Sequence, residues 1–199
     1  MENDPDFLGQ LKFELLTKNN WDKFVELFGP NGACANCWCM YYRLLSPDYK
    51  ASLKNGLNKD AMQKLVWESK PTGILAMYNN KAVAWCAFSP REDFVRIEKS
   101  KVLKHIDNRP VWSIPCFFIH KEFRKNGVSG AVLNAVIGYA RNHKIGIIEA
   151  YPVVASEAKV TDTSAWPGFL NTYTRAGFVI AGEKSKNKPI VRFYLETSG

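Results

Sequence analysis

The chain has 199 residues, 46% of them hydrophobic and 23% charged. That excludes an intrinsically disordered polymer and fits one domain with a sizeable core. Lys and Arg outnumber Asp and Glu by 27 to 19, a net charge of +8, which favours anionic partners (nucleotides, phosphates, nucleic acid, acidic surfaces) without choosing among them. No apolar run approaches bilayer length, and the opening "MENDPDFLGQ" is acidic and polar rather than a secretory signal, so a cytoplasmic protein with no membrane role is expected.

In chain order, Leu11 to Leu16 alternates weakly and predicts a first strand. Trp21, Phe24, Val25 and Phe28 follow at helical spacing, with Gly29 as a stop. "CANCWC" then crowds Cys34, Cys37 and Cys39 together and runs into an aromatic stretch, "CWCMYYRLL", that suits helix or strand equally. A zinc site would need a fourth ligand at matching spacing, and no second CxxC or HxxxH pair occurs. The five cysteines are an odd number, so neither a disulfide framework nor a metal site is expected. Cys86 and Cys116 sit in apolar runs and read as core residues.

Asn58 is placed to cap a helix that ends before Pro71. Two apolar runs then flank Asn79-Asn80-Lys81, a hairpin signal. "REDFVRIEKS" predicts a surface helix. "VWSIPCFFIH" predicts a longer strand that Pro115 interrupts, which implies an edge or a bulge. Beyond the turn "FRKNG", Leu133, Val136, Ile137 and Ala140 mark one face of a helix. "KIGIIEAYPV" reads as a strand, "SAWPGFLNTYTRAGF" as a helix closed at Gly177, and "FVIAGE" with "PIVRFYLE" as a strand pair around the solvated basic turn "EKSKNK". With no repeat or linker, the pattern is that of one α/β domain with a mixed sheet.

The turn "RKNGVSG", Arg124 to Gly130, opens directly into the helix. A helix N-terminus carries unpaired N–H groups and partial positive charge, and a glycine in the preceding turn lets several of them converge on one anion. Neither GxxxxGK[ST] nor GxGxxG occurs, so the NTPase and dinucleotide-binding loops are absent. "RKNGVS" resembles the acyl-CoA pyrophosphate turn, Q/R-x-x-G-x-G/A, of the GNAT superfamily of N-acetyltransferases, and lies between a bulged strand and a long helix as in that family. "NTYTRAGF" resembles the family's next helix, in which a tyrosine stands four residues before Gly-Phe; here these are Tyr173, Gly177 and Phe178. The match covers residues 72–196. Upstream, "CWCMYYR", together with "YPV", resembles a sub-group of bacterial members. Lys125 departs from a frequent glycine and Ser129 from the final glycine or alanine, small changes in a turn that binds through its backbone.

The resemblance implies a single GNAT-like domain over 1–199, with acceptor-side elements in 1–71 and a CoA-binding core in 72–196. It implies a mixed, mostly antiparallel sheet flanked by helices, with central strands splayed into a CoA cleft. It further implies acetyl-CoA as co-substrate and direct transfer to a primary amine. In that scheme the backbone of Arg124, Lys125, Asn126, Gly127, Val128, Ser129 and Gly130 holds the pyrophosphate. Phe118 and Ile119 pair with the pantetheine arm, and Tyr173 donates to the departing thiolate. For a general base, Glu149 is a carboxylate in an apolar run, where burial alone would raise its pKa, and His120 ends the CoA-binding strand; a water chain would also serve.

Acceptor candidates are Trp38, Tyr41, Arg43, Trp85 and Trp166, an aromatic set suited to a hydrophobic or cationic amine. The competing readings are a CoA-binding regulatory or scaffold protein and, on net charge alone, a nucleic-acid-binding module, which lacks any motif or stacking pattern to support it. A monomer or a homodimer would serve equally.

Overall fold

The computed structural model describes residues 6–154, 166–183 and 189–195. One sheet holds β1 (Lys12–Leu15), β2 (Gly73–Tyr78), β3 (Lys81–Ala87) and β6 (Phe117–Ile119), in the order β1-β2-β3-β6 and antiparallel throughout. The second holds β4 (Ser89–Pro90), β5 (Trp112–Ile114), β7 (Ile147–Ala150), β8 (Val179–Glu183) and β9 (Pro189–Tyr194), in the order β4-β5-β7-β9-β8, with β5 and β7 parallel. The helices are α1 (Trp21–Phe28), α2 (Ser46–Lys54), α3 (Asn58–Trp67), α4 (Val95–Glu98), α5 (Val128–Asn142) and α6 (Leu170–Arg175).

The two sheets share two long strands. β3 runs into β4 across Phe88, and β5 runs into β6 across Pro115 and Cys116. The Ala87 N–H donates to the Cys116 carbonyl at 2.9 Å, which keeps these strands together across the break. On its other side the β5–β6 strand pairs with β7 as far as Ile114 and Ala150. Beyond that point the Phe117 N–H donates instead to Trp166 O, at 2.7 Å. Pro115 has no N–H to extend either ladder. The interruption expected within 111–120 is therefore the place where the sheet forks.

Strand β2, "GILAMY", is apolar along its length because both of its faces are covered. Ile74 and Ala76 share a core with Val132, Leu133 and Val136 of α5. Leu75 and Met77 face the opposite cluster, with Phe24 and Phe28 of α1, Met62 of α3 and Trp85. The hairpin between β2 and β3 turns at Asn79 and Asn80, with φ of 46° and 64°, as a two-residue primed turn requires.

Three segments differ from expectation. "CWCMYYRLL" forms turns rather than helix or strand, with Trp38 and Cys39 at positive φ (46° and 60°). Residues 91–100 contribute only a short 3-10 turn and the single-turn α4, and they are anchored in the core by Arg91, Phe94 and Ile97 rather than lying on the surface. The helix expected from "SAW" onward begins at Leu170. The basic turn at 184–188 lies outside the described residues.

At the stem of the fork, Glu149 is fully buried between two guanidinium groups. Arg192 Nε is 2.7 Å from Oε2 and Arg91 Nε is 3.2 Å from Oε1. The Tyr151 hydroxyl donates to Oε1 at 2.8 Å. Arg192 continues to Asp107 at 2.7 Å, and Arg91 to Glu98 at 3.0 Å. Removing one partner of such a cluster leaves charge buried without compensation, at a cost of about 3–5 kcal/mol. Arg192→Met should therefore lower the urea midpoint by that equivalent; an unchanged midpoint would show that Arg91 alone compensates Glu149.

Candidate active site

Each side of the fork opens on a cavity. The first, of about 560 Å³, is walled by Phe118 and Ile119 of β6, by Tyr173 of α6, and by Arg124, Lys125 and Ser129. Its basic end is the turn before α5. Lys125 and Gly127 both adopt left-handed backbone (φ 64° and 77°), and Gly127 caps the helix. The N–H groups of Val128, Ser129 and Gly130 open that helix and have no acceptor within it. The Val128 side chain is buried in the core, so the backbone is what it offers a ligand. A Cβ on Gly127 would lie 3.0 Å from Leu8 Cδ1, in a conformation that side-chain-bearing residues rarely adopt. A Cβ on Gly130 would meet open space, so there the missing side chain leaves room outside the protein's own packing. Asn126 is exposed beside them. Arg124 Nε donates to Ile119 O at 3.0 Å, tying the turn to the end of β6. A helix start, a left-handed glycine cap and two cationic residues fit a pyrophosphate, and the cavity runs from them along β6.

Tyr173 is fully buried, and its hydroxyl donates to Pro167 O at 2.9 Å. Burial holds its pKa well above the ordinary phenol value. It therefore keeps its proton at neutral pH and can act as a donor, not as a base.

The two base candidates lie elsewhere. Glu149 is in the ionic cluster just described, so the uncompensated carboxylate expected from its apolar neighbours is instead a paired one. His120 ends β6 beside Phe123, with its side chain 38% exposed and its Nδ1 3.8 Å from Glu122. Neither residue lines this cavity or the one on the other side of the fork.

The second cavity, of about 540 Å³, lies on the other side of the fork. Cys37, Cys39, Tyr41 and Tyr49 come to it from the turns and α2, Cys116 from the break in the long strand, and Tyr151 from beyond β7. Trp166 borders both cavities and stacks on Phe118, with centroids 5.9 Å apart at 16°. Of the acceptor candidates, Tyr41 and Trp166 reach this cavity. Trp38 packs on Phe28 at 5.7 Å, and Trp85 is fully buried with Nε1 donating to Cys39 Sγ at 3.2 Å. Arg43 is buried against Phe94, with Nη2 donating to Thr72 O at 3.2 Å.

Tyr49, Tyr151, Cys39 and Cys116 are cavity residues that the sequence reading missed. The positive φ at Trp38 and Cys39 folds the cysteines back toward the sheet, and no spacing rule announces that. Burial, and then the neighbouring Cys39, raises the Cys37 pKa; a hydrogen bond to Cys39, together with burial, raises that of Cys116. Cys39 is shifted the other way, by hydrogen bonds from Cys116 and Trp85 and by the charge of Arg43.

The acetyltransferase (GNAT) family model matches residues 38–163. The chain belongs to that family and is an acyltransferase that uses acetyl-CoA as co-substrate. No curated protein matches the sequence. Among solved structures the chain is similar to a histone acetyltransferase HPA2 and related acetyltransferase from Corynebacterium glutamicum. Identity is 16%, coverage is 96% of this chain and 99% of that one, and the TM-score is 0.57. It is also similar to the PaiA N-acetyltransferase of Thermoplasma acidophilum in complex with coenzyme A (8% identity, 93% and 99% coverage, TM-score 0.53). A GNAT family acetyltransferase from Streptococcus agalactiae gives 15% identity, 94% and 96% coverage and a TM-score of 0.53. At these identities the likeness is one of fold.

Two predictions follow from the site. Gly127→Val combines a strained backbone with a clash at Leu8, so it should weaken CoA binding by about tenfold or more, roughly 1.4 kcal/mol; unchanged affinity by calorimetry would place the pyrophosphate elsewhere. Among the described residues, no group of three or more His, Cys, Asp or Glu side chains is placed to hold a metal ion. Purified protein should therefore contain far less than one equivalent of zinc, and a chelator should leave its melting temperature unchanged. Stoichiometric zinc by elemental analysis would overturn that reading.

Proposed function

We propose that the protein transfers an acetyl group from acetyl-CoA to a primary amine by direct attack within a ternary complex. The observation that carries this reading is the pair of cavities meeting at the fork, with Trp166 on the border of both. One has the turn, strand edge and tyrosine suited to an acyl-CoA, and the other is a second chamber, lined by tyrosines, cysteines and Trp166, for the acceptor. A protein that only sensed CoA would have no need of the second.

In this reading the backbone from Arg124 to Gly130 binds the pyrophosphate and the β6 edge at Phe118 and Ile119 aligns the pantetheine arm. The bound thioester supplies the activated acyl group. Tyr173 turns its hydroxyl from Pro167 O toward the departing sulfur and lends its proton there. The strand end and turn from Phe117 to Gly130, with α6, form the donor side, and the 34–49 segment with Cys116 and Tyr151 forms the acceptor side. Among the described residues no helix is long and apolar enough to cross a membrane. The five cysteines are free, which suits a reducing compartment and supports a cytoplasmic location.

Thiol release from acetyl-CoA across an amine panel separates transfer from mere CoA binding: no release with any amine, despite tight CoA binding, would favour the scaffold reading. Tyr173→Phe keeps the ring packing and removes the hydroxyl. With an amine accepted in that panel, kcat should fall about 10²-fold while acetyl-CoA affinity stays near normal, because a donor to the leaving group acts mainly in the transition state. Near-normal turnover in this variant would make Tyr173 a packing residue.

A further inference from the structure

Two hydrogen-bond donors at the broken end of β6 are engaged by one short segment of the chain. The Phe117 N–H donates to Trp166 O at 2.7 Å. The Tyr173 hydroxyl donates to the next carbonyl, Pro167 O, at 2.9 Å. The rings of Phe117 and Tyr173 are neighbours, with centroids 6.1 Å apart. Arg124 ties the basic turn to Ile119, so Phe117 marks the end of the strand farther from that turn, where the thioester of a bound acyl-CoA falls. The peptide between Trp166 and Pro167 has no N–H, so there the segment presents acceptors only. Its other end is anchored on the far side of the fork: the Val153 N–H donates to Gly168 O at 2.9 Å, and the Leu170 N–H donates to Val153 O at 3.0 Å. Between the two ends Gly168 takes left-handed backbone (φ 79°), and a Cβ there would lie 3.0 Å from the Tyr173 ring. Glycine is the residue that can turn at that point and pass so close. Trp166 stacks on Phe118 and, with Pro167, also lines the second cavity. Both residues are half-buried. An interior N–H is costly to leave unpaired, so the strap can leave Phe117 only when another acceptor takes its place.

Resting on the acyltransfer reading, we infer that the Trp166–Pro167 strap is an acyl-dependent gate: it caps the Phe117 N–H and the Tyr173 hydroxyl until the thioester of acetyl-CoA displaces it. The thioester carbonyl accepts from the Phe117 N–H in place of Trp166 O, and the Tyr173 hydroxyl is released toward the sulfur. Trp166 turns about Gly168 and leaves Phe118, while the bonds of Gly168 and Leu170 to Val153 hold. Because Trp166 and Pro167 wall both cavities, the same movement reshapes the acceptor chamber. Free CoA has the pyrophosphate and the pantetheine arm but no acyl carbonyl, so it leaves the Phe117 N–H with the strap. The acceptor side is thereby opened only while there is an acyl group to transfer.

The test follows the emission of Trp166, isolated from the other tryptophans by subtracting the spectrum of Trp166→Phe from that of the wild type. Saturating acetyl-CoA should shift this emission to longer wavelength and remove its protection from acrylamide quenching; saturating CoA should do neither. Tyr173→Phe removes one of the strap's two bonds, so it should show part of the same shift before any ligand is added. An unmoved Trp166 with acetyl-CoA bound, an equal response to CoA and acetyl-CoA, or a Tyr173→Phe emission identical to the wild type would overturn the inference. If Trp166→Phe does not fold, crystals of the wild type with acetyl-CoA and with CoA decide. The Phe117 N–H should be bonded to the thioester carbonyl in the first and to Trp166 O in the second; Trp166 O on Phe117 in both would overturn the gate. Calorimetry on the same wild-type preparation keeps the two readings apart. Loss of acetyl-CoA binding would sink the acyltransfer reading and the gate with it, whereas normal binding with an unmoved strap would sink the gate alone.

Discussion

Two residues, Pro115 and Cys116, decide where this sheet stops being one sheet. Up to Ile114 the long strand is paired on both sides, with Ser113 opposite Ser89 on one flank and opposite Glu149 on the other. After the break it keeps β3 and loses β7. A β-strand cannot give up a partner in the interior without replacing its hydrogen bonds. Here Phe117 is met by Trp166 O, while Val153 pairs with the segment around Gly168 and Phe169. That inserted segment is why there are two cavities rather than one slot. Had the parallel ladder run on, residues 151–153 would occupy the space beside β6 and neither chamber would exist.

A fork strains its own stem, because strands that part company on one side must be held on the other. Glu149, Ser113 and Arg192 lie in register across β5, β7 and β9 immediately before the split. Their side chains, with Arg91 and Tyr151, form the buried ionic cluster. Buried ion pairs add little net stability over apolar packing, but they are costly to misplace. A shift of register here would strand a carboxylate between apolar strands, so the cluster fixes alignment at the point where alignment sets the cavity shape. The Tyr151 hydroxyl, bonded to Glu149 and in contact with Ser113 at 2.9 Å, sits at the end of this cluster, while its residue lines the second cavity. The clamp on the stem and the wall of the second cavity therefore share one side chain.

What was legible in the sequence was whatever is local. The hairpin at Asn79-Asn80, the break at Pro115 and the turn ending at Gly127 each depend on the backbone preferences of one or two residues, and those preferences are written in the residue names. Part of the first cavity was readable for the same reason: Phe118, Ile119, Arg124, Lys125 and Ser129 are near neighbours in the chain, with Tyr173 added by the second motif, whereas Trp166, Gly168 and Phe169 come from a separate segment. The second cavity draws on five separated segments, and its shape depends on Trp38 and Cys39 taking left-handed backbone that neither residue type prefers. Composition misled in a specific way. The richest tryptophans, Trp38 and Trp85, went to the core, because a large aromatic next to an apolar strand stabilises more when fully covered. Glu149 looked like a lone carboxylate because its partners, Arg91 and Arg192, are far away in sequence.

The break also sets how the two cavities adjoin. Cys116 lines the second cavity, and the three residues after it, Phe117, Phe118 and Ile119, line the first. The hydrogen bond from Phe117 to Trp166 O holds the shared wall against this strand just past the break. A substitution at Trp166 would thus act on both sites at once, through its stacking on Phe118 on one side and its contact with the thiol-lined chamber on the other. The two cavities adjoin where the long strand breaks at Pro115 and Cys116, with Trp166 on the wall of both.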